Sequence, residues 1–370
     1  MNIENSIRPR PASHGVRVLQ IGSDRSKRGD LVPGSTGTVR QDAYARAFGA
    51  LDDISFSLRS DGFSAHSTGA LSVYPTNSRA KLFYGLDALR IAGKLPRPDV
   101  VSAQDPFEAG LIAYFIARRS GVPLHVQVHT DLFEAAFAAH SLLNFIRVRI
   151  ARFVLRRADG IRVVSRRIQK SIEARMQPKR LAVLPIFVDI GRFGGPQADA
   201  ALASKFARFP TRILFVGRLE SEKDPSLAVR SFAGAAPADS CLIVVGSGSG
   251  RGQLGKLAEE LGVADRVFFE GERDSAPYYK VADLVLCTSR YEGYGLVIIE
   301  ALGSGKPVLS TDVGVAREAG AIITSREAFA KSLGEWFDGG PREARLRSYP
   351  YHDFDEYVVA YTREITALKK

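Results

Sequence analysis

Cysteine is scarce in this sequence, which has only two in 370 residues, Cys241 and Cys287. Both lie in short apolar stretches typical of buried strands, so we expect no disulfide framework and infer a reducing cytoplasm. Long apolar runs are also missing, since no segment approaches the roughly 18–20 residues that span a bilayer. The first fifteen residues, MNIENSIRPRPASHG, are polar and basic without an apolar core. We therefore expect no secretory signal.

The composition that remains is that of a globular protein. Hydrophobic residues make up 45% of the chain and charged residues 25%, which are ordinary proportions. A chain of this length exceeds what one hydrophobic core comfortably supports, and this predicts two domains. Strand-like and helix-like segments alternate in both halves, which indicates two α/β units with parallel sheets.

The pattern predicts individual elements and a division of the chain. The predicted strands are Val16–Ile21, Val100–Val101, Leu124–Val128, Ile161–Val164, Ile213–Val216, Leu242–Val245, Val267–Phe269, Leu284–Cys287 and Val308–Leu309. The predicted helices include Gln41–Leu51, Pro106–Ser120, Leu142–Arg157 and Asp353–Leu368. Asp189–Leu202 is rich in glycine, proline and alanine and indicates a linker. We therefore predict an N-terminal domain of residues 1–190 and a C-terminal domain of residues 191–352.

Two glutamates, Glu292 and Glu300, flank a Gly-x-Gly turn in the segment RYEGYGLVIIE, residues 290–300. A strand precedes the turn and an apolar helix follows it, so the first N–H groups of that helix can bind a phosphate. The two carboxylates are then placed for groups on either side of a diphosphate. The candidate donor ligands here are Glu292, Gly293, Tyr294, Gly295, Leu296, Val297 and Glu300.

A second cluster of candidate ligands precedes this segment. Gly217 follows the predicted strand ending at Val216, and Arg218 and Lys223 come next, five residues apart. Arginine offers a planar fork for two phosphate oxygens and lysine a mobile point charge. Together they can neutralise a diphosphate leaving group.

These two segments resemble the donor-binding core of the family 4 glycosyltransferases, within residues 267–318 and 215–224. The resemblance implies the GT-B fold: two Rossmann-like domains facing across a cleft, with a C-terminal helix, here residues 353–370, crossing back to the first domain. It also implies transfer of a sugar from a nucleotide-sugar with retention of configuration, without metal or cofactor. A donor phosphate oxygen would then take the acceptor proton. The residue after the lysine is commonly glycine in that family, whereas this chain has Asp224.

The resemblance also assigns residues in the first half. A glycine-containing loop follows the first strand, and of its Gly29, Gly34 and Gly37 we select Gly34 as a candidate to face the donor phosphate. The family has a histidine at the end of a strand, near the donor sugar hydroxyls, and His129 fits that position. The implied catalytic set is Arg218, Lys223, Glu292 and His129. His125, four residues earlier, is interpreted as a core histidine.

Two further motifs have structural interpretations. Gly246–Gly250 (GSGSG) follows a strand, but Arg251 occupies the third glycine position of a dinucleotide fingerprint. We interpret this turn as scaffold. Asp353-Phe354-Asp355 spells an Asp-x-Asp motif used elsewhere for metal, yet it opens a predicted helix, where acidic residues are favoured. We interpret it as capping and expect no metal site.

The net charge of +11 is concentrated in one segment. Residues 141–180 contain twelve lysines and arginines and two acidic residues, a net charge of +10. On a helix over 142–157, Arg149, Arg152 and Arg156 share one stripe, and Ile146, Ile150 and Phe153 share another. Such a surface suits anionic lipid, and no nucleic-acid-binding module accompanies it. A merely solvated basic face is the alternative.

These observations favour an enzyme that transfers a sugar from a nucleotide-sugar to a glycan or lipid-linked acceptor, in envelope polysaccharide or glycolipid synthesis. It would work in the cytoplasm, peripherally on an anionic membrane face. The alternatives are a basic membrane-binding protein on a catalytically idle GT-B scaffold, or another GT-B enzyme such as a nucleotide-sugar epimerase. A phosphorylase would need a cofactor lysine site, which we do not find in the sequence.

Overall fold

The computed structural model describes residues 15–22, 31–139, 141–195 and 199–369. These residues form two compact units: one extends to Pro185 and resumes at Tyr351, and the other is Ile186–Pro350. The sequence pattern suggested divisions after residues 190 and 352. Residues from 186 onward lie with the second unit because they pack on it; the Val188 amide, for example, donates to the Tyr349 hydroxyl.

The first unit is built on an eight-stranded sheet. Its strands are β1 Val16–Gly22, β2 Gly49–Ser55, β3 His66–Thr68, β4 Leu71–Pro75, β5 Val100–Ala103, β6 Leu124–Val128, β7 Gly160–Val163 and β8 Leu181–Val183. Their order is β3-β4-β2-β1-β5-β6-β7-β8, and only the β3–β4 pairing is antiparallel. The helices between them are α1 Thr36–Phe48, α2 Tyr84–Ala92, α3 Glu108–Ser120, α4 Ala135–Ala139, α5 Leu142–Leu155 and α6 Arg166–Glu173.

The second unit repeats the plan with six strands. After the short helices α7 Ile190–Gly194 and α8 Ala200–Lys205 come β9 Thr211–Val216, α9 Pro225–Ala235, β10 Ser240–Val245, α10 Arg251–Glu260, β11 Val267–Gly271, α11 Ala276–Val281, β12 Leu284–Cys287, α12 Leu296–Gly303, β13 Val308–Ser310, α13 Ala316–Ala319, β14 Ile322–Ile323 and α14 Phe329–Gly339. The strands pair in parallel in the order β11-β10-β9-β12-β13-β14. Both units are therefore α/β layers with parallel sheets, as predicted.

The last helix, α15 Phe354–Thr366, belongs to the first unit. Asp353 caps it by accepting from the Glu356 amide at 2.8 Å, which confirms the capping interpretation of the Asp-x-Asp motif. Buried polar contacts hold the helix to the sheet: Arg162 of β7 donates to the Tyr357 hydroxyl at 2.9 Å. His125 of β6 lies 2.7 Å from the Glu364 carboxylate and is fully buried, as expected of a core histidine.

Two predictions of local structure were wrong. The helix predicted over 41–51 begins at Thr36 and ends at Phe48, because Gly49 takes a φ of 111° and starts β2. The predicted linker contains α7, which packs on α12 of the second unit.

The sequence did not assign a core face to α5. In the structure the buried apolar residues of α5 are Val148, Ala151, Val154 and Leu155, and the helix packs on α3 and α4. Ile146 is exposed to solvent. Arg162 is also excluded from the basic surface, since it is buried in the sheet.

Among the described residues, no helix combines the length and the apolar character that crossing a bilayer requires. Both cysteines are free and buried, Cys241 in β10 and Cys287 at the end of β12.

Candidate functional site

The strand order of the second unit predicts where a ligand binds. The order reverses between β9 and its neighbour β12, and ligands of open parallel sheets bind beyond the carboxyl ends of the strands at such a switch point. Arg218 and Lys223 follow β9, and Glu292 follows β12. Two segments that are about seventy residues apart in sequence therefore meet at one edge of the sheet.

Lys223 and Glu292 form the centre of this site. The Lys223 ammonium is ion-paired with Oε1 of Glu292, and the Ser289 hydroxyl donates to the same oxygen at 2.7 Å. Their side chains are only 21% and 14% exposed, so the pair is partly desolvated. They line a small cavity together with Phe215, Thr288 and Val297.

Arg218 has a different environment. Its guanidinium pairs with Glu222 at 2.6 Å, and its side chain is 71% exposed. Lys223 and Arg218 thus each have a carboxylate partner in this structure. A diphosphate would compete with those carboxylates for the same charges.

The turn that carries Arg218 is held by the GSGSG loop. A Cβ at Gly246 would lie 1.9 Å from the Gly217 carbonyl oxygen, and one at Gly248 would lie 2.7 Å from the Leu219 amide nitrogen. The loop also exchanges backbone hydrogen bonds with Leu219, at 2.9 Å and 3.0 Å. Glycine is required here for close contact between two loops, which agrees with the scaffold interpretation.

The helix N-terminus lies where the sequence predicted it. Gly295 is the N-cap residue of α12 and takes a φ of 92°, a left-handed conformation that favours glycine. A glycine has no side chain with which to occupy the first N–H groups, those of Leu296 and Val297. These groups and the helix dipole favour an anion at this end of α12.

Glu300 lies one turn into α12, and a tyrosine of α11 hydrogen-bonds its carboxylate. The Tyr279 hydroxyl of α11 donates to its Oε2 at 2.7 Å, and Tyr279 itself is fully buried. Burial raises the pKa of Glu300, and the bond from Tyr279 opposes that shift. Glu300 as a residue is half-buried.

Asp224 caps α9, accepting from the Leu227 amide, with Pro225 at the first helical position. It does so in the left-handed region, with a φ of 45°, which explains why glycine is suited to this position in the resembling family. Its carboxylate also pairs with Arg326 and, at 3.1 Å, with Arg290. The unusual residue is therefore accommodated by a cap and two guanidinium groups.

We expect replacements of Asp224 to destabilise the fold, least for asparagine, more for glycine and most for alanine. Alanine loses the cap, about 1 kcal/mol, and strains the left-handed backbone by about 1–2 kcal/mol. Asparagine keeps the cap and tolerates the conformation. Urea denaturation of the variants measures this order. Equal losses for Asn and Ala would mean that the ion pairs, not the backbone, determine stability here.

The candidates in the first unit lie at the carboxyl edge of its own sheet. Gly34 takes a φ of 76° just before Ser35, which caps α1 by accepting from the Thr38 amide at 3.1 Å. Gly37 is buried in the first turn of that helix, and Gly29 lies outside the described residues. Glycine is favoured at position 34 by the left-handed backbone conformation. Steric crowding does not require it, since no atom lies within 4 Å of a Cβ built there.

His129 follows β6 directly. Desolvation, with the positive charge of Arg162 and Arg40 nearby, lowers its pKa to about 3, while the side chain keeps an exposed surface. It is therefore neutral at physiological pH and can hydrogen-bond a hydroxyl group through either ring nitrogen.

Sequence reasoning missed several residues of the site. Ser289, Glu222 and Tyr279 contact the predicted ligands directly. A signal existed only for Tyr279, because a tyrosine in an apolar helix needs a partner for its hydroxyl. Ser289 and Glu222 lie in irregular turns, and the spacing of apolar residues in the sequence does not predict the hydrogen bonds of such turns.

Comparison with known proteins identifies the family. Residues 204–352 match the family described as glycosyl transferases group 1, and residues 11–186 match the glycosyl transferase 4-like domain. The chain belongs to the group 1 glycosyltransferases. The two matches cover both units, and the donor segments quoted above lie inside the first of them.

Curated relatives of this glycosyltransferase are similar over part of their length. D-inositol 3-phosphate glycosyltransferase of Salinispora tropica is 33% identical over 198 residues, 46% of this chain and 41% of that protein. The lipopolysaccharide core biosynthesis mannosyltransferase LpsB of Rhizobium meliloti is 30% identical over 215 residues, 52% of this chain and 60% of that protein. The chain thus aligns with less than two thirds of each.

Solved glycosyltransferases share the fold over nearly the whole chain. HepE of Anabaena, in complex with UDP and glucose, is 19% identical with a TM-score of 0.67, covering 95% of both chains. Sucrose-phosphate synthase from Thermosynechococcus elongatus is 19% identical with a TM-score of 0.71, covering 96% of this chain and 95% of that one. These similarities establish the GT-B fold for this glycosyltransferase.

Proposed function

We propose that this glycosyltransferase transfers a sugar from a nucleoside diphosphate sugar to a glycan or lipid-linked acceptor, with retention of configuration, at an anionic membrane surface. Its product would be an envelope polysaccharide or glycolipid. The observation that carries the proposal is the meeting of Lys223, Glu292 and the N-terminus of α12 at the switch point of the second sheet.

The donor site is supported by the charge that the reaction develops. A departing diphosphate gains negative charge, and preorganised cations and N–H groups at that position are the usual dominant source of rate enhancement. Lys223, Arg218 and the first amides of α12 supply them. Glu300 would bind the ribose hydroxyls, and His129 the sugar hydroxyls. No protein base is needed if a donor phosphate oxygen takes the acceptor proton.

The acceptor side is supported by the exposed face of α5. We call this the α5 surface: Leu142, Leu143, Phe145, Ile146, Arg149, Arg152 and Arg156. All seven side chains are exposed, and Leu142 is 77% and Phe145 48% exposed. Arg149 stacks over the Phe145 ring at 4.9 Å. Apolar and cationic side chains on one helix face suit the interface of an anionic bilayer, where a lipid-linked acceptor resides.

A donor screen tests the function. The protein is incubated with UDP-, GDP- and ADP-sugars, first by thermal shift and then with lipid-linked acceptors prepared from membranes. We expect one donor to raise the melting temperature and its nucleoside diphosphate to accumulate only when acceptor is present. Release without acceptor would instead indicate an epimerase or hydrolase, and stabilisation by none of the donors would indicate an idle scaffold. The NMR coupling constant of the anomeric proton of the product shows whether the configuration of the donor sugar is retained.

Metal removal is expected to leave activity intact. Lys223, Arg218 and the helix N-terminus would balance the diphosphate charge that a divalent cation balances elsewhere. Transfer rates measured after dialysis against EDTA should equal those with added Mg²⁺ or Mn²⁺. A strict requirement for either ion would contradict this mechanism.

A further inference from the structure

A buried tyrosine lies beneath the proposed ribose ligand. Tyr279 is fully buried, and its hydroxyl is 2.7 Å from Oε2 of Glu300. A phenol has one proton, and Tyr279 donates it to Glu300.

The packing around Tyr279 fixes where that proton points. Phe193 of α7 contacts the ring edge-to-face, with centroids 5.7 Å apart. A ring so enclosed has one orientation, and its hydroxyl therefore holds Oε2 of Glu300 in one place. Glu300 is half-buried and Tyr279 bonds its Oε2, which leaves Oε1 for a ligand.

We propose that Tyr279 is a positioning residue for nucleotide binding: it fixes the carboxylate of Glu300 so that its second oxygen meets the ribose hydroxyls. This inference rests on the proposed function, in which Glu300 binds ribose. The simpler alternative is that Glu300 only satisfies a buried hydroxyl and that the bond serves stability alone.

The chain offers a matched control in the adjacent residue. Tyr278, on the same helix, donates to Oε2 of Glu270 at 2.9 Å and is also buried. Tyr278→Phe and Tyr279→Phe therefore each remove one hydroxyl that is bonded to a glutamate. Only Glu300, however, has been placed in the nucleotide site. Both variants should lose similar thermal stability.

The experiment measures affinity for UDP, GDP and ADP by calorimetry, together with their 2′,3′-dideoxy analogues. For the nucleotide that binds, we expect Tyr279→Phe to weaken affinity about tenfold, or about 1.4 kcal/mol. It should also shrink the preference for the ribonucleotide over its dideoxy analogue. Tyr278→Phe should change neither. In a cycle with Glu300→Gln, the double variant should bind no more weakly than Glu300→Gln alone, because the two residues act together.

The pH dependence gives a second reading. Desolvation raises the pKa of Glu300, while Tyr279 and Arg192 lower it and Asp274 raises it. Losing the Tyr279 bond removes a lowering influence, so the carboxylate of Tyr279→Phe protonates at a higher pH. As pH falls, affinity should therefore decline earlier in Tyr279→Phe than in the wild type.

The outcomes separate the two proposals. If the wild type binds a nucleotide but Tyr279→Phe matches it in affinity, ribose preference and pH dependence, Tyr279 is structural and the inference is wrong. If the wild type binds none of UDP, GDP and ADP, the donor assignment itself fails and the inference fails with it.

Discussion

Lys223→Ala is expected to reduce turnover by about 100- to 1,000-fold, the usual cost of removing one preorganised group that stabilises developing charge. The structure adds a second reason. Without the ammonium, the Glu292 carboxylate loses its ion-pair partner and faces the incoming diphosphate as a like charge. The loss should appear in kcat and in kcat/KM alike, since the interaction strengthens as the diphosphate departs.

Lys205→Ala is the control for this experiment. Lys205 also lies in the second unit and pairs with a glutamate, Glu270, at 2.6 Å, but away from the switch point. It should retain near wild-type turnover. Unfolding midpoints of both variants exclude a general loss of structure. A folded Lys223→Ala enzyme with more than half of the wild-type turnover would show that the diphosphate does not bind here.

Reversing three charges on the α5 surface is expected to release the protein from anionic vesicles. Each cation near such a membrane contributes about 1 kcal/mol. Changing Arg149, Arg152 and Arg156 to glutamate should therefore weaken binding at least about 100-fold. Cosedimentation with vesicles of graded phosphatidylserine content measures it. Nucleotide affinity should be unchanged, because no donor candidate lies on α5 and the proposed diphosphate and ribose ligands Arg218, Lys223 and Glu300 belong to the other unit.

The control reverses three exposed cations of the second unit, Lys256, Lys331 and Arg345. That variant carries the same net charge and should still bind the vesicles. Raising salt should weaken wild-type binding, since the Debye length is about 8 Å at physiological ionic strength. If both triple variants lose binding equally, net charge rather than the α5 surface is responsible. If the wild type binds no vesicle, the α5 surface is solvated and the acceptor is a soluble molecule.

The sequence was most informative where one periodicity dominates. The strands β6 and β12 were predicted with their observed bounds. β12, LVLC, is a short continuous apolar run, and β6, LHVQV, alternates apolar and polar residues. By contrast β2, GALDDIS, was missed. Its Asp52 and Asp53 are buried and accept hydrogen bonds from Arg17 and Gln20 of β1. These contacts form only when the two strands pair in the folded sheet, so the local sequence does not indicate them.

The same distinction holds for the site. The positions of Gly295 and Glu292 at the start of a helix could be predicted, because a Gly-x-Gly turn between a strand and a helix has few structural solutions. The carboxylate partners of Lys223 and Arg218 could not be assigned, since an ion pair depends on which turns the folded sheet brings together. The α5 helix was predicted, but its core face was not, because apolar residues lie on more than one side of it.

The placement of α15 has a consequence for the order in which this chain acquires structure. The second unit is one uninterrupted stretch, whereas the first needs residues from both sides of it. During synthesis, the segment Ile186–Pro350 is complete and able to fold while Arg162 and His125 still lack Tyr357 and Glu364. Until the last helix arrives, the sheet exposes a buried arginine and a buried histidine without their partners. The domain that is translated first is therefore the one that is finished last.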